Sequence, residues 1–359
     1  MCGRGHTGEV ETDVETDPLD EALTLLAATA PEYGPYGLTN HGPMAAEALV
    51  RLKRADAVPA WTAAYAERLS PAPAPASKAL SDDAWPHALG QVDRFREWLT
   101  LFESEMADRP VTAVVGEWVP RLVPGTVGAA THGLIRTAHG LRALGEADTP
   151  ARRVEVATGL AYWASVYQEL PGPPLLIGHQ DVPEALADLP YLPEESPEPF
   201  LISERVTFVA DISDEFEQGV ASLAPRGDAV TLLDALACGG AKAYLRNAED
   251  GHAIAVLHSI TAPLALELVL PWLAKEDRDA AVAYAWQAVA ALHVAYDIER
   301  HAPLPTTDPL SADELIERAV TSEDAHAIKL TEAALRCYAR TDEPALLLAA
   351  ADASARLAG

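Results

Sequence analysis

The chain has 359 residues, 49% of them hydrophobic but only 6% aromatic, so it can bury a large core while lacking the β-branched and aromatic stock of a sandwich or barrel. Its formal net charge of −28 comes from 26 basic and 54 acidic residues, and no dense Lys/Arg cluster interrupts it, which argues against nucleic acid or an anionic membrane as a partner. The expectation is an all-α fold, one large multi-helix domain with long Pro-rich loops.

Residues 1–16 are acidic and carry no periodic apolar positions; they predict a disordered leader without the apolar stretch of a secretory signal. The remainder, 17–359, predicts a single helical catalytic domain. Asp17-Pro18 opens a first helix to about Ala30, Asp as cap and Pro in the first turn. The loop Pro31–Pro43 follows, too rich in Gly and Pro for regular structure, yet holding Tyr33, Tyr36 and His41. A helix resumes through Leu49. Residues 70–83 form an exposed Pro/Ala/Ser loop, helical patterns cover 84–108 and 111–122, and Val123-Pro124-Gly125 breaks the chain. After the segment around His132 another helix runs from Thr149-Pro150 to Leu170, stopped by Pro171-Gly172-Pro173-Pro174. Residues 178–206 read as a surface excursion with one short helix at Val182–Leu189. Helices then fill 212–222, 227–246, 251–274, 277–299, 312–320, 322–340 and 343–357. The apolar stretch Leu257–Ala274 is interrupted by His258, Pro263, Glu267 and Pro271 and reads as core. No repeat of 30–50 residues emerges.

Cys2, Cys238 and Cys337 form no C-x-x-C pair, so neither a disulfide frame nor a thiolate zinc site is signalled, and a reducing cytoplasm fits. No G-x-G-x-x-G, Walker A, G-x-S-x-G or H-E-x-x-H pattern is present.

The chemistry-bearing stretch is Thr131–Gly140, Thr-His-Gly-Leu-Ile-Arg-Thr-Ala-His-Gly. On a helix His132 and His139 lie within about 20° of each other around the axis, and Arg136 within about 60° of both. Leu134, Ile135, Ala138 and Leu141 leave these heads little water. Each reading has a bland counterpart: a lone buried histidine is more often a satisfied core residue than a ligand, and Arg136 is as readily an ion pair with an acid of another helix as a holder of an anionic substrate oxygen. The i, i+7 spacing separates the two histidines by about 10.5 Å along the axis, too far for a comfortable chelate. Other histidines in apolar settings are His41, His258 and His326, with His293 in reserve. His6, His87 and His301 read as exposed.

Lys329 is one of five lysines and lies in an apolar helix three residues after His326, on the same face. There a neutral amine becomes accessible, able to take up carbon dioxide as a carbamate. The plainer alternative is a snorkelling side chain paired with Glu323 or Glu332.

At this point the chain resembles the questin oxidase-like family of fungal and bacterial natural-product pathways. The resemblance rests on Asn40-His41-Gly42-Pro43 with Ala45–Leu49, on Thr131–His139, on Leu160-Ala161-Tyr162-Trp163-Ala164, on His258-Ser259-Ile260-Thr261 and on His326-Ala327-Ile328-Lys329. It implies an all-α oxidoreductase that opens rings of aromatic polyketides, anthraquinone-type substrates above all. Some members are described as Baeyer–Villiger oxidases; the family also includes an iron-dependent dioxygenase with histidine and carboxylated-lysine ligands. By position the ligands would be His41, His132, His139, His258 and Lys329, with His326 an alternative.

The leading expectation is therefore a cytoplasmic non-haem Fe(II) oxygenase using dioxygen on a small aromatic substrate of secondary metabolism. Lys329 would be carbamylated and Arg136 would hold a phenolate or carboxylate. Two alternatives stand beside it: an NADPH-dependent, metal-free monooxygenase, and a helical binding protein without catalysis. The metal reading requires that these distant segments meet above the Thr131–Gly140 face.

Overall fold

The computed structural model describes residues 17–76, 78–81, 83–248, 252–296 and 298–358. The leader expected over residues 1–16, with Cys2 and His6, lies outside them. The chain is 68% helical with almost no strand, the all-α single-domain architecture expected.

Helix α1 (Pro18–Ala27) starts where Asp17 accepts the Leu19 N–H at 2.9 Å. It stops three residues earlier than the pattern suggested, because Thr29 turns into a bridge with Pro71. The Gly/Pro segment that follows is not wholly irregular: β1 (Glu32–Tyr33) and β2 (Leu38–Thr39) form a minimal antiparallel hairpin. Its turn is made by Gly34 and Gly37 at positive φ of 71° and 66°. Helix α2 (Gly42–Arg51) begins directly after His41, and α3 (Val58–Ala66) is a helix the sequence reading missed.

The predicted helix 84–108 is instead two single 3-10 turns followed by α4 (Phe95–Asp108), since Gly90 takes φ 72°. Then come α5 (Val111–Leu122), α6 (His132–Glu146) and α7 (Pro150–Ser165), the last ending five residues before Leu170. The excursion 178–206 carries α8 (Val182–Ala187), as expected, and also α9 (Ile202–Val206). The remaining helices are α10 (Ser213–Ala221), α11 (Ala229–Asn247), α12 (Ala253–Val269), α13 (Lys275–Ala295), α14 (Ala312–Ser322), α15 (Ala325–Thr341) and α16 (Pro344–Arg356). Asp324 caps α15, accepting from the backbone N–H groups of His326 and Ala327.

The segment Ala253–Trp272 is long and apolar enough to cross a bilayer, with mean hydropathy 1.9, but 83% of it is buried inside the protein. It packs as a core helix against α6, α11, α13 and α15. Helices α6 and α7 approach closely because each places a glycine against the other. A Cβ on Gly133 would lie 2.5 Å from Trp163 Cα, and one on Gly159 would lie 2.9 Å from Thr137 Cα. Helices α2, α6, α12 and α15 pack against one another around a common interior, and these four carry the candidate ligands.

Candidate metal centre

Before α6 the chain makes a turn through Gly128–Thr131 in which Ala129, Ala130 and Thr131 have φ of 46°, 54° and 68°. Three successive non-glycine residues in the left-handed region cost about 1–2 kcal/mol each. The turn points the Ala129 carbonyl at His132 Nδ1, 2.6 Å away. A carbonyl only accepts, so Nδ1 carries the proton and Nε2 presents a bare lone pair. His258 is fixed in the same way, its Nδ1 donating to the Ile254 carbonyl one turn back on α12 at 2.7 Å.

The two lone pairs face each other: His258 Nε2 is 3.1 Å from His132 Nε2, and His41 Nε2 approaches the same atom at 2.8 Å. His326 completes the group, its ring edge-on to His41 at 4.4 Å between centroids. His41, His132 and His326 each offer a nitrogen within 4.8 Å of the others. All four rings are brought together from α2, α6, α12 and α15, so the distant segments meet as the metal reading required.

Burial above all, and then the positive charge of Lys329 and of one another, drives His41, His132 and His258 well below the usual imidazole range. His326 is lowered by burial too, partly countered by Asp324, whose Oδ1 lies 3.6 Å from its Nδ1. Lys329 is 2% exposed and among the described residues forms no ion pair. Burial brings its amine down to about 7, with Asp324 the only opposing charge. The snorkelling alternative is thereby corrected: Glu332 is taken by Arg142 and Arg336, at 2.6 and 3.1 Å.

His139 is not part of this contact. Its Nδ1 lies 2.7 Å from Glu47 Oε2, and Glu47 also binds Arg142, which continues to Glu332 and Arg336. Burial alone would raise Glu47, but Arg142 and His139 hold it below its ordinary value. Placing His139 among the ligands is corrected for the reason its spacing suggested: two turns along α6 it reaches a different set of neighbours. It does line, with Lys329, Thr261 and Glu332, a cavity of ≈ 10 Å³, the room of about one water.

Arg136 is also reassigned. It is 2% exposed, and its Nε and Nη2 donate to the two oxygens of Glu155 on α7 at 2.7 and 2.9 Å. That bidentate pair neutralises the guanidinium, so the ion-pair reading holds and the charge is not free for a substrate oxygen. His293 stands apart on α13, buried, and among the described residues neither ring nitrogen has a hydrogen-bond partner. Sequence reasoning missed Glu47, Glu155 and Asp324; the first two were visible as lone carboxylates on apolar helix faces, the third as a helix cap two residues before His326.

A cluster of buried imidazoles in which His132 and His258 turn unprotonated nitrogens toward each other has the form of a metal site. Residues 40–207 match the model of the Questin oxidase-like family. The match spans His41, His132 and the whole Thr131–Gly140 stretch, while His258, His326 and Lys329 fall beyond it. No curated protein matches the chain.

The two contacts that His132 Nε2 makes, to His41 and to His258, can be compared with ligand spacings around a metal ion. Ligands at right angles around an ion with metal–nitrogen bonds of about 2.1 Å stand about 3.0 Å apart, and at a tetrahedral angle about 3.4 Å. The measured 2.8 and 3.1 Å are the right-angle separations. Without a cation, His132 Nε2 and His258 Nε2 are two acceptors at hydrogen-bond distance with no proton between them, an arrangement that burial makes costly.

Proposed function

We propose that this protein is a mononuclear non-haem iron oxygenase that cleaves a ring carbon–carbon bond of an aromatic polyketide-like, anthraquinone-type substrate with dioxygen. His41, His132, His258 and His326 would hold the ion, with a carbamate on Lys329 as an anionic oxygen donor. The observation that carries the reading is the meeting of His132 Nε2 and His258 Nε2, whose Nδ1 protons are committed to backbone carbonyls, with His41 Nε2 beside them. Nitrogen donors suit a borderline ion, and a carboxylate-type oxygen favours iron over softer metals. Ferrous iron, when bound, supplies the one-electron chemistry by which dioxygen reacts with an electron-rich ring.

The protein's own share is positional. The Ala129 and Ile254 carbonyls fix two tautomers and ring planes, as outer partners of metal-binding histidines do. Asp324 does the same for His326. Apolar surroundings bring the Lys329 amine down to about 7, so that its neutral fraction can bond through Nζ to the carbon of carbon dioxide and release a proton. Glu47 holds His139 at the cavity shared with Lys329. A metal-free NADPH-dependent oxidase or a non-catalytic helical protein leaves the facing lone pairs without a partner, so neither is favoured.

Metal analysis after anaerobic Fe(II) loading tests the proposal. About one iron per chain is expected, and Lys329→Ala should lose iron while keeping its helicity. A wild-type iron content near zero would sink the reading.

A further inference from the structure

Away from the histidines, α11 meets the end of α15 along a second patterned face. Asp234, Cys238 and Lys242 recur every fourth residue on α11 and so share one side of it. Opposite stand Cys337 and Arg340 of α15, and Glu343, which caps α16. Asp234 takes Arg340 on both oxygens, at 2.5 and 2.9 Å, and accepts from Cys337 Sγ at 3.3 Å. One turn further, Lys242 Nζ lies 2.6 Å from Glu343. Two ion pairs thus bracket Cys238, and Cys337, hydrogen-bonded to Asp234 one turn before it on α11, faces the same side of that helix. Both thiols are free; Cys238 is half-buried and Cys337 fully buried.

We infer that Cys238 and Cys337 are a reversible redox pair, closing to a disulfide between α11 and α15 when the protein meets a peroxide. This site is independent of the metal reading. The Cys238 sulfur attacks one peroxide oxygen, the O–O bond breaks, and Cys238 becomes a sulfenic acid as the other oxygen leaves as water. The Cys337 sulfur then attacks Cys238 Sγ, its proton passing toward Asp234, and the S–O bond breaks with loss of a second water. Two electrons from the thiols reduce one peroxide to two waters. The division of labour follows from the surroundings. The contact with Cys337, then Thr341 and Lys242, holds the Cys238 thiol below its usual range against the effect of burial. The same contact, together with burial and Asp234, pushes Cys337 up. The half-buried member is the one a peroxide reaches, and the buried one resolves it. The bond would tether α15 eight residues beyond Lys329.

The test treats the reduced full-length protein with a few equivalents of hydrogen peroxide, alkylates the remaining thiols and maps the peptides by mass spectrometry. A crosslinked Cys238–Cys337 peptide, lighter by about 2 Da than the two thiols, is expected, restored to thiols by dithiothreitol. Cys337→Ser should stop at a Cys238 sulfenic acid that dimedone traps. Cys238→Ser should leave Cys337 unoxidised. The inference is overturned if wild-type Cys238 proceeds to sulfinic acid without a crosslink, or if both cysteines alkylate fully after peroxide.

Discussion

Helix α6 buries polar groups in two opposite ways within two turns. At its start His132 turns Nδ1 to a backbone carbonyl and Nε2 to other imidazoles, where the His132 and His258 lone pairs face each other without a proton between them. Further along, His139 and Arg142 enter a chain of alternating charges, Glu47, Arg142, Glu332 and Arg336, in which nearly every donor finds an acceptor. The first arrangement is incomplete as a protein and complete with a cation; the second is complete already. A metal site is therefore marked less by the number of histidines than by which of their nitrogens have nothing to bind.

Substitution at the two ends of α6 gives the largest separation. His132→Ala should reduce iron affinity more than about 100-fold, because removing a ligand exceeds the 10–100-fold loss typical of its outer partners, with calorimetric titration of metal-free protein as the readout. His139→Ala should leave iron content near one per chain. Equal iron loss in both variants would erase the distinction.

Stability should respond in reverse. Glu47→Gln removes the carboxylate shared by His139 and Arg142 and should cost about 3 kcal/mol in denaturant unfolding, while iron binding persists.

A pH series on metal-free protein tests the buried amine and imidazoles directly. Lys329 titrates near 7 when folded and near 10.5 when unfolded, so between those values the unfolded chain binds more protons and stability rises with pH. The quartet histidines are lowered on folding, so stability also falls as pH drops below about 6.5. Lys329→Met should flatten the alkaline limb of the melting curve and leave the acid limb.

The smallest effect concerns the turn before α6. Ala129→Gly should stabilise the fold by about 1 kcal/mol, since glycine takes the left-handed conformation without strain. The same change should loosen iron, through a less firmly aimed Ala129 carbonyl.

Much of the architecture was legible because local chemistry agreed with it. Asp17-Pro18, Thr149-Pro150 and the Ser311/Glu314 pair start helices where caps predict. The errors arose where local signals were silent. Gly90 at positive φ split the segment 84–108, and the hairpin at Glu32–Thr39 is too short for any alternation to declare itself. In the site, the sequence named the four histidines that the fold brings together but ranked His139 above His326. A helical wheel shows that His132 and His139 share a face; it does not show that Glu47 waits opposite one of them and three imidazoles opposite the other. That distinction belongs to the packing of α2 against α6, a long-range fact.

The four rings come from segments that a ribosome delivers far apart in time, His41 first and His326 last, with His132 and His258 between. A nascent chain carrying the first two has only half a cage, and an ion caught early would be held by a pair of exchangeable imidazoles. Metal selection thus falls to the finished fold, after α15 has docked onto α2 and α12. On the proposed reading, the cost of gathering these rings without an ion rests on helices already stabilised by the rest of the core, so scarcity of metal would leave an idle protein rather than an unfolded one.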